Sequence, residues 1–288
     1  MRNVFTVVLE GLLATGLIAA TLSGAVALSP EPSPTSSVAQ VPSPRDPFAA
    51  KAVANYLSGR RNFVTAALYD ESSGETFLYN PKGSGATASI IKVNILAGLL
   101  YVRSKSKVAL TPEEDGLAKL AIEQSDNNAA ESLWENLGYN RGLNVLNSKL
   151  KLSGTKLDAS NAWGNTVTSP RDQLKLLKQI VLPSKLISPP NQTYIKTLME
   201  HVIASQRFGV PSGVPAKVEV GVKNGWDTEA NTGWQINTIG YVQSKHNPYL
   251  LVVMTHNNPN EVYGINTVSG VGKLVWGFES KLPSYPAQ

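Results

Sequence analysis

The feature that most constrains this chain is a stretch that would form a helix apolar on nearly every face. It spans residues 90–100 and contains seven large aliphatic residues: Ile90, Ile91, Val93, Ile95, Leu96, Leu99 and Leu100. A helix that is hydrophobic all round has no face for water and must lie inside a core. With 288 residues, 42% of them hydrophobic, the chain is long enough to build that core around it.

Two polar residues at the start of this stretch are unexpected in a core. Ser89 precedes the first helical turn and Lys92 follows one turn later, so their side chains should lie side by side. A cation in a first turn opposes the helix dipole, and its burial is costly without a partner. Lys92 either extends to the surface from the helix end or serves a buried site. The Ser-x-x-Lys spacing alone cannot decide, because it recurs at Ser104, Ser148 and Ser153.

A second polar element, Ser125-Asp126-Asn127, follows a well-marked helix. Residues 111–114 form a capping box with proline at the first helical position, which predicts a helix that ends near Gln124. The next helix should span residues 127–137 and stop at a glycine. Ser125 or Asp126 could simply cap it, so this element by itself does not establish a site.

A third element, Lys223-Asn224-Gly225, closes a β-branched run at residues 218–222. Isolated Lys-x-Gly triplets commonly mark turns, which is the alternative explanation. Taken together, however, the three elements supply a nucleophile, two proton-handling groups and an anchor for an anion. Those groups are the equipment of a serine acyl-transfer enzyme.

The three elements resemble the signature of the class A β-lactamase-like, penicillin-recognising serine hydrolases, whose members carry Ser-x-x-Lys, Ser-Asp-Asn and Lys-Thr-Gly. The third element is altered here to Lys-Asn-Gly. The resemblance extends from about residue 48 to the C terminus and includes residues 155–158, 168–172 and 209–215. It implies a hydrolase that cleaves the cyclic amide of β-lactams through an acyl-enzyme.

The resemblance also implies a role for each site residue. Ser89 would be the nucleophile, and Lys92 its base if the surroundings favour the neutral amine. Ser125 would pass a proton to the leaving nitrogen, and Lys223 would supply positive potential. The backbone amides of Ser89 and Trp226 would form the oxyanion hole. The implied substrate-binding residues are Asn127, Asn224 and Gly225.

One departure from the family pattern concerns hydrolysis of the acyl-enzyme. No glutamate lies between Glu135 and Glu200, where the family's β-lactamases carry their deacylating base. Asp158 lies at the edge of a short loop in this region. Asn161 or Asn165 could position a water there, but neither can accept its proton. We therefore expect acylation to outpace hydrolysis.

Two other departures concern substrate binding. The segment between Lys92 and Ser125 is short, which should open the cleft, and the strand that follows the third element has no arginine to help hold a substrate carboxylate. Two alternative functions stay open for this reason. One is a cell-wall D,D-peptidase or transpeptidase, which would use the same first step, and the other is a non-catalytic protein that binds β-lactams or wall peptides.

The N-terminal residues predict export. Residues 11–22 are apolar and residues 25–27 fit a cleavage site, so residues 1–27 are expected to form a signal peptide, or an uncleaved anchor. Residues 28–47 are rich in proline and serine and predict a disordered linker. Residues 48–288 would form the hydrolase domain. The expected location is extracytoplasmic, either secreted or associated with the cell envelope.

Composition limits the classes of ligand and partner that this protein is expected to bind. The net charge is +5 but no basic run suggests nucleic acid. The chain has no cysteine, hence no disulfide and no lipid-anchoring lipobox, and its three histidines lack metal-binding spacing, so no metal or cofactor is expected. The expected partner is a small β-lactam or a peptidoglycan stem peptide, at the wall or membrane surface, bound by a monomer.

The order of segments predicts an α+β fold. Strands are expected at residues 62–69, 75–79, 218–223, 232–243 and 249–256. Helices are expected at 47–58, across most of 89–204, and at 262–281. The middle region includes a helix at 170–181, capped by Ser169, and another at 191–204. Strands at both ends imply an antiparallel five-stranded sheet built from N- and C-terminal segments and flanked by helices, with a mostly helical insertion. This is the serine β-lactamase/D,D-peptidase-like fold. The three elements would meet at the seam between sheet and helices.

Overall fold

The structure is a computed structural model that describes residues 43–229 and 233–284. The predicted signal peptide or anchor, and residues 28–42 of the predicted linker, lie outside the described residues. Within the described ranges, no helix is both long and apolar enough to cross a membrane.

Strands from both ends of the chain join in one antiparallel sheet. In chain order the strands are β1 (Phe63–Asp70), β2 (Thr76–Tyr79), β3 (Gly85–Ala86), β4 (Val167–Thr168), β5 (Glu219–Glu229), β6 (Gly233–Gln243) and β7 (Tyr249–Asn258). The large sheet has the order β2-β1-β7-β6-β5. β1 pairs with β7 along its whole length, from Phe63 opposite His256 to Asp70 opposite Tyr249. The predicted α+β fold with five antiparallel strands is confirmed.

The helices lie mostly between β2 and β5 in sequence. In the described residues they are α1 (Lys51–Ser58), α2 (Ile91–Lys105), α3 (Pro112–Glu123), α4 (Asn127–Leu137), α5 (Tyr139–Leu150), α6 (Pro170–Val181), α7 (Pro189–Glu200) and α8 (Glu261–Glu279). Thr111 and Glu114 form the predicted capping box at α3, and Ser169 caps α6. Gly138 ends α4 in the left-handed conformation, as its sequence position predicts.

The sheet separates two apolar layers, because successive side chains on a strand point to opposite faces. On β7, Leu250, Val252 and Met254 pack against the helical insertion. Leu251 and Val253, between them, pack on the other face with residues of α1 and α8. The arrangement therefore has three layers, with the sheet in the middle.

Helix α2 runs through the centre of the helical layer. Every residue from 91 to 101 is buried, including Lys92 and Asn94. This burial confirms that the apolar stretch forms a core helix, and it fixes the Ser89 end of that helix where the helices meet the sheet.

Three boundaries differ from the prediction. Helix α1 begins at Lys51, since residues 47–50 form a turn in which the Phe48 amide donates to Asp46 Oδ1 at 2.9 Å. Helix α7 begins and ends earlier than the predicted 191–204, because Pro189 is well suited to a first helical position. Strand β5 continues past Lys223 to Glu229, so the Lys-x-Gly triplet is not a turn.

Residues 43–47 belong to the ordered body, although the sequence assigns them to the linker. Arg45 is nearly buried. Its Nε donates a hydrogen bond to Asp70 Oδ2 at 2.6 Å, and its Nη2 donates one to Asn247 Oδ1 at 2.9 Å. Breaking a buried ion pair of this kind leaves an uncompensated charge, which costs several kcal/mol. The contact ties the start of the described chain to the end of β1.

Candidate active site

Ser89 lies in a short 3₁₀ turn, Ala88–Ile90, that leads directly into α2. The residue before it, Ala88, has φ +44°, a left-handed conformation that costs a non-glycine residue about 1 kcal/mol. Strain of this kind persists only where surrounding contacts hold it, and it clusters at functional sites. Ser89 itself is partly exposed, so its hydroxyl is accessible at the end of a buried helix.

Contacts with the segment before α6 hold this turn in place. β3 pairs with β4, so that Gly85 lies opposite Thr168. Next to this pair, the Thr87 amide donates to Thr166 O at 2.8 Å and the Thr87 hydroxyl to Gly164 O at 3.2 Å. The loop that carries residues 158–166 is thereby fixed beside Ser89.

The Lys92 side chain is buried and fully engaged by the second sequence element. It is 1% exposed, and its Nζ donates to Ser125 O at 2.5 Å, to Asn127 Oδ1 at 2.7 Å and to Ser125 Oγ at 3.2 Å. This burial rules out a surface lysine extended from a helix end. The amine instead connects the core helix to the start of α4.

Lys223 reaches the same hydroxyl from the sheet. It is completely buried, and its Nζ donates to Ser125 Oγ at 2.9 Å and to Asn224 O at 2.8 Å. Ser125 Oγ therefore lies between two lysine amines, one from α2 and one from β5. The second and third sequence elements meet at this atom, as the sequence predicts.

Burial changes the proton affinity of both amines. It lowers the pKa of Lys92 to about 8, although the negative charge of Asp126 partly opposes the change. Burial, and secondarily the charge on Lys92, holds the pKa of Lys223 well below its usual range. A lysine with a lowered pKa is neutral in a larger fraction of molecules, and only the neutral amine can accept a proton.

Asp126, and not Ser125, caps helix α4. Asp126 Oδ1 accepts a hydrogen bond from the Ala129 amide at 2.7 Å. Ser125 has φ +60°, again in the left-handed region. Asp126 alone thus caps the N terminus of α4. Ser125, in its left-handed conformation just before the cap, places its hydroxyl beside the two lysine amines.

Gly225 allows β5 to approach the start of α2 closely. A Cβ atom at this position would lie 2.6 Å from the Ser89 amide nitrogen and 2.8 Å from that of Ile90, much closer than real contacts permit. Trp226 follows, and its ring packs against Phe208 with the ring centroids 5.9 Å apart. The strand backbone at 225–226 therefore runs alongside the amide of Ser89.

A cleft of about 160 Å³ opens at this junction. It is lined by Ala88, Ser89, Asn127, Trp163, Gly164, Trp226 and Asp227. Residues of the first and second elements thus share one concave surface with the residues that follow the third. The position at the seam between sheet and helices matches the expectation from the order of segments.

Two features of the predicted site differ from what the sequence suggests: the contact between Ser89 and Lys92, and the direction of the Asn224 side chain. Both Ser89 and Lys92 are described, yet no hydrogen bond joins Ser89 Oγ to Lys92 Nζ, because that amine already donates to Ser125 and Asn127. The Asn224 amide turns away from the cleft and donates to Gln206 O at 2.6 Å and to Phe208 O at 3.0 Å. The Asn224 side chain therefore binds the segment at residues 206–208. It lies on the face of β5 opposite to Lys223, because successive side chains on a strand point to opposite faces.

The loop side of the cleft holds an aromatic ring, that of Trp163. The Trp163 ring centroid lies 5.1 Å from Lys92 Nζ, and Trp163 Nε1 donates to Glu131 Oε2 at 2.7 Å. Asp158 is partly buried, and its Oδ1 accepts a hydrogen bond from the Ser160 amide at 2.9 Å. Neither Asn161 nor Asn165 is among the residues that line the cleft.

Sequence reasoning did not single out three residues of this region: Glu131, Trp163 and Asp227. Trp163 carried one weak signal, an indole within a short polar loop. Asp227 carried another, since it is two residues beyond Gly225 and four beyond Lys223, which is the spacing of one strand face. Glu131 had none, because an exposed glutamate on a helix is commonplace.

Comparisons with known proteins place this geometry in a family. The profile of the beta-lactamase enzyme family matches residues 103–278, more than half of the chain, including the second and third elements. Proteins named "Putative lipoprotein LppW" from Mycobacterium tuberculosis and Mycobacterium bovis are 25% identical over 196 residues, 66% of this chain and 62% of theirs. The chain thus spans about three fifths of the length of these curated relatives.

Several solved structures share the fold. A class A beta-lactamase from Bacteroides cellulosilyticus superposes with a TM-score of 0.68 at 18% identity, covering 78% of this chain and 94% of its own. The TLA-3 extended-spectrum beta-lactamase gives a TM-score of 0.70 at 15% identity, with 78% and 96% covered. PBP-A gives 0.68 at 20% identity, with 79% and 94% covered. With the family match, the shared fold leads to one conclusion: this chain belongs to the beta-lactamase enzyme family and has the fold of a class A β-lactamase.

Proposed function

We propose that this protein is an exported serine hydrolase that forms an acyl-enzyme on Ser89 with β-lactam-type substrates and hydrolyses that intermediate slowly. One observation carries the proposal: two buried amines converge on Ser125 Oγ, at 3.2 Å from Lys92 and 2.9 Å from Lys223, beside a cleft that Ser89 lines. Burying two ammonium groups costs several kcal/mol each, so stability alone does not account for them. Strongly perturbed amines in a cleft are typical of catalytic sites.

The proposed acylation follows from the contacts of these groups. Ser89 Oγ attacks the lactam carbonyl and transfers its proton to neutral Lys92, which must first exchange one of its present hydrogen bonds for one to Ser89. The new ester bond forms as the carbon–nitrogen bond breaks. The proton passes from Lys92 through Ser125 Oγ to the leaving nitrogen, and Lys223 Nζ, which donates to Ser125 Oγ at 2.9 Å, holds that hydroxyl in position for the transfer.

The developing oxyanion would be stabilised by two backbone amides, those of Ser89 and Trp226. The close approach at Gly225 supports this assignment, because it brings the strand that carries Trp226 against the Ser89 amide. Preorganised amides of this kind are worth a factor of about 10² to 10³ in rate. Asn127, which lines the cleft, is proposed to bind the amide of the acyl group.

The second half of the reaction lacks an evident base. Trp163 faces Lys92 from the loop side, and the nearby Glu131 is exposed and hydrogen-bonded to the indole. Because the residues that line the cleft on the loop side, Trp163 and Gly164, carry no carboxylate, activation of water on that side should be inefficient. This supports slow turnover rather than efficient β-lactam hydrolysis.

Intact-mass measurement after mixing with benzylpenicillin tests the proposal. We expect one molar equivalent of covalent adduct on Ser89, formed in a burst and followed by slow steady-state product release. The Ser89→Ala variant, which removes one oxygen from a partly exposed site, should fold normally and form no adduct. An unmodified wild-type protein would contradict the acyl-enzyme, and fast sustained hydrolysis would contradict slow deacylation.

A second candidate function is a cell-wall D,D-peptidase or transpeptidase. It is favoured by the absence of a deacylating carboxylate and by the similarity in fold to PBP-A. Release of D-alanine from a D-Ala-D-Ala peptide, faster than release of hydrolysed penicillin, would support it over the first candidate. A third candidate, a non-catalytic binding protein, predicts reversible binding of penicillin with no adduct at Ser89.

An extracytoplasmic location completes the proposal. The apolar N-terminal segment supports a signal peptide at residues 1–27, or an anchor, followed by a linker and a hydrolase domain. The name of the mycobacterial relatives, which describes a lipoprotein, points to the envelope as well. We propose that the protein acts as a monomer near the cell wall or membrane surface, on β-lactams or peptidoglycan stem peptides.

A further inference from the structure

We infer that Asp227 makes this site selective for acyl donors that carry a cationic group on the acyl side of the scissile amide. The inference rests on the proposed acyl-enzyme at Ser89 and adds a substrate class to it. Four observations carry it: the face of β5 on which Asp227 lies, its distance along the strand from Lys223, the charges that line the cleft, and the contact that holds the carboxylate.

The face of the strand is set by alternation. Lys223, Gly225 and Asp227 are two residues apart, so their Cα–Cβ directions lie on the same side of β5. At Gly225 that side meets the Ser89 amide, at 2.6 Å from a Cβ atom built there. Asp227 therefore lies on the side of β5 that meets Ser89, and it lines the cleft together with it.

The position along the strand identifies which part of a substrate Asp227 would meet. Lys223 hydrogen-bonds Ser125, the proposed donor to the leaving nitrogen, so that end of β5 serves the leaving group. Asp227 is four residues further on, about 13 Å at the usual rise of a strand. The scissile carbonyl would lie between them, at Gly225 and Trp226. Asp227 is thus at the end where the acyl substituent extends.

Charge at the acyl end of the cleft is negative. Among the residues that line the cleft, Asp227 is the charged one, and its carboxylate is exposed. Glu131, also exposed, adds a second negative charge behind Trp163 on the facing wall. Lys223 is buried at the leaving-group end, and Lys92 is buried with its Nζ 5.1 Å from the Trp163 ring centroid, so the exposed charges here are the two carboxylates. Exposed carboxylates raise the local concentration of cations and disfavour anions.

The Asp227 carboxylate is also held in place. Its Oδ1 accepts a hydrogen bond from the Thr228 amide at 2.7 Å, and the side chain is exposed in the cleft lining. An exposed ion pair with a substrate ammonium should change the rate by about three- to five-fold. The effect should weaken as salt is added, because exposed charges are screened.

Three penicillins that differ at one substituent provide the test. Ampicillin, benzylpenicillin and carbenicillin carry an ammonium group, a hydrogen and a carboxylate on the same acyl carbon. Second-order acylation rates should fall in that order for the wild-type protein, at a pH below the pKa of the ampicillin amine. In Asp227→Asn the ratio of the ampicillin rate to the carbenicillin rate should drop by about three- to five-fold.

Glu135→Gln is the matched control. It removes one negative charge from the same helix as Glu131, one turn further on, at an exposed residue outside the cleft lining. The order of rates should survive in this variant and at low salt, and should compress in high salt in the wild-type protein.

Equal rates for the three penicillins in the wild-type protein would overturn the charge preference and leave the acyl-enzyme standing. An equal change of the ratio in Asp227→Asn and Glu135→Gln would also overturn the assignment to Asp227, since the effect would then come from the net charge of the protein. No adduct with any of the three would overturn the acyl-enzyme itself, and the preference with it.

Discussion

The two sides of the cleft are built in contrasting ways. On one side, Lys92, Ser125 and Lys223 form a buried network in which each amine donates two or more hydrogen bonds. On the other, the loop before α6 presents the face of Trp163 to Lys92, while its one carboxylate, Asp158, is bound within its own turn. The first side can move protons, and the second offers an apolar ring.

This difference separates the two halves of an acyl-transfer reaction. Formation of an ester needs a base for the serine and a donor for the leaving nitrogen, and both are available in the buried network. Hydrolysis of the ester needs a base for water on the other face, and among the described residues that line the cleft there, Trp163 and Gly164, neither supplies one. A protein with only the first set should trap its substrate as a long-lived ester.

The largest expected effect comes from the buried network. Lys92→Ala should lower the acylation rate by a factor of about 10² to 10⁴, the usual contribution of a general base. Stopped-flow measurement with a fluorescent penicillin gives the rate, and circular dichroism checks the fold. Lys92→Met fills more of the space and serves as a second variant. Unchanged labelling in both would make Lys92 a purely structural residue.

Next in size is the effect of filling the space between β5 and α2. Gly225→Ala should lower the acylation rate by about 10²-fold or more, since the added methyl group meets the Ser89 amide and must displace the strand from the oxyanion position. Thermal unfolding should show a lower midpoint as well.

Gly116→Ala is the matched control for that substitution. Gly116 lies inside α3 with nothing within 4 Å of an added Cβ, so alanine should stabilise the helix by about 0.5–1 kcal/mol. Its acylation rate should equal that of the wild-type protein. A Gly225→Ala variant that acylates as fast as Gly116→Ala would remove the oxyanion hole from this part of β5.

A smaller effect is expected on the deacylation side. Trp163→Ala should admit water to the ester and shorten the life of the acyl-enzyme by about tenfold, with acylation changed less. Loss of adduct over time, followed by mass spectrometry, measures this. Glu131→Gln keeps the indole and is the control. An acyl-enzyme with the same lifetime in Trp163→Ala would show that the ring does not limit hydrolysis.

The smallest effect concerns pH. Because the pKa of Lys92 is lowered to about 8 and the neutral amine is the base, the acylation rate should rise with pH and level off above that value. The charge on Asp126 raises this pKa, so Asp126→Asn, which can still cap α4, should move the rise to lower pH. At any pH, Asp126→Asn should change the acylation rate by less than about tenfold, because a tenfold change corresponds to a shift of one unit in the pKa of Lys92.

The pH profiles of the two proteins check this directly. The sign is the informative part, since a profile that moved to higher pH in Asp126→Asn would mean that the titrating group is a different one. Ser125→Ala should lower the plateau without moving the rise, because Ser125 relays the proton and carries no charge.

Local patterns allowed much of the fold to be predicted. The capping box at Thr111 and the cap at Ser169 fixed the starts of α3 and α6, because each depends on residues three apart in sequence. The positions of β1, β6 and β7 followed from β-branched and aromatic runs. Strand β5 was predicted too short, since a Lys-x-Gly triplet looks like a turn unless the backbone of α2 is known to lie against it.

The site was predicted in part. The sequence placed Lys92, Ser125 and Lys223 in one site through the family resemblance, and the structure brings their side chains into hydrogen-bonding contact. It did not anticipate that Lys92 donates to Ser125 and Asn127 and has no hydrogen bond to Ser89. Trp163 and Asp227 were missed, because neither residue type is distinctive until its surroundings are known.

The sequence by itself determined the elements, the buried character of α2 and the family, since these depend on residues within one or two turns or on motifs of three or four residues. Only the tertiary structure decided which Ser-x-x-Lys copy has a buried amine; the lysines at 107, 151 and 156 are exposed. It also decided what each amine binds, because the contacts of Ser125 with Lys92 and Lys223 join residues 33 and 98 positions apart. Such contacts depend on how the helices pack against the sheet, and no local sequence pattern specifies contacts between residues so far apart in the chain.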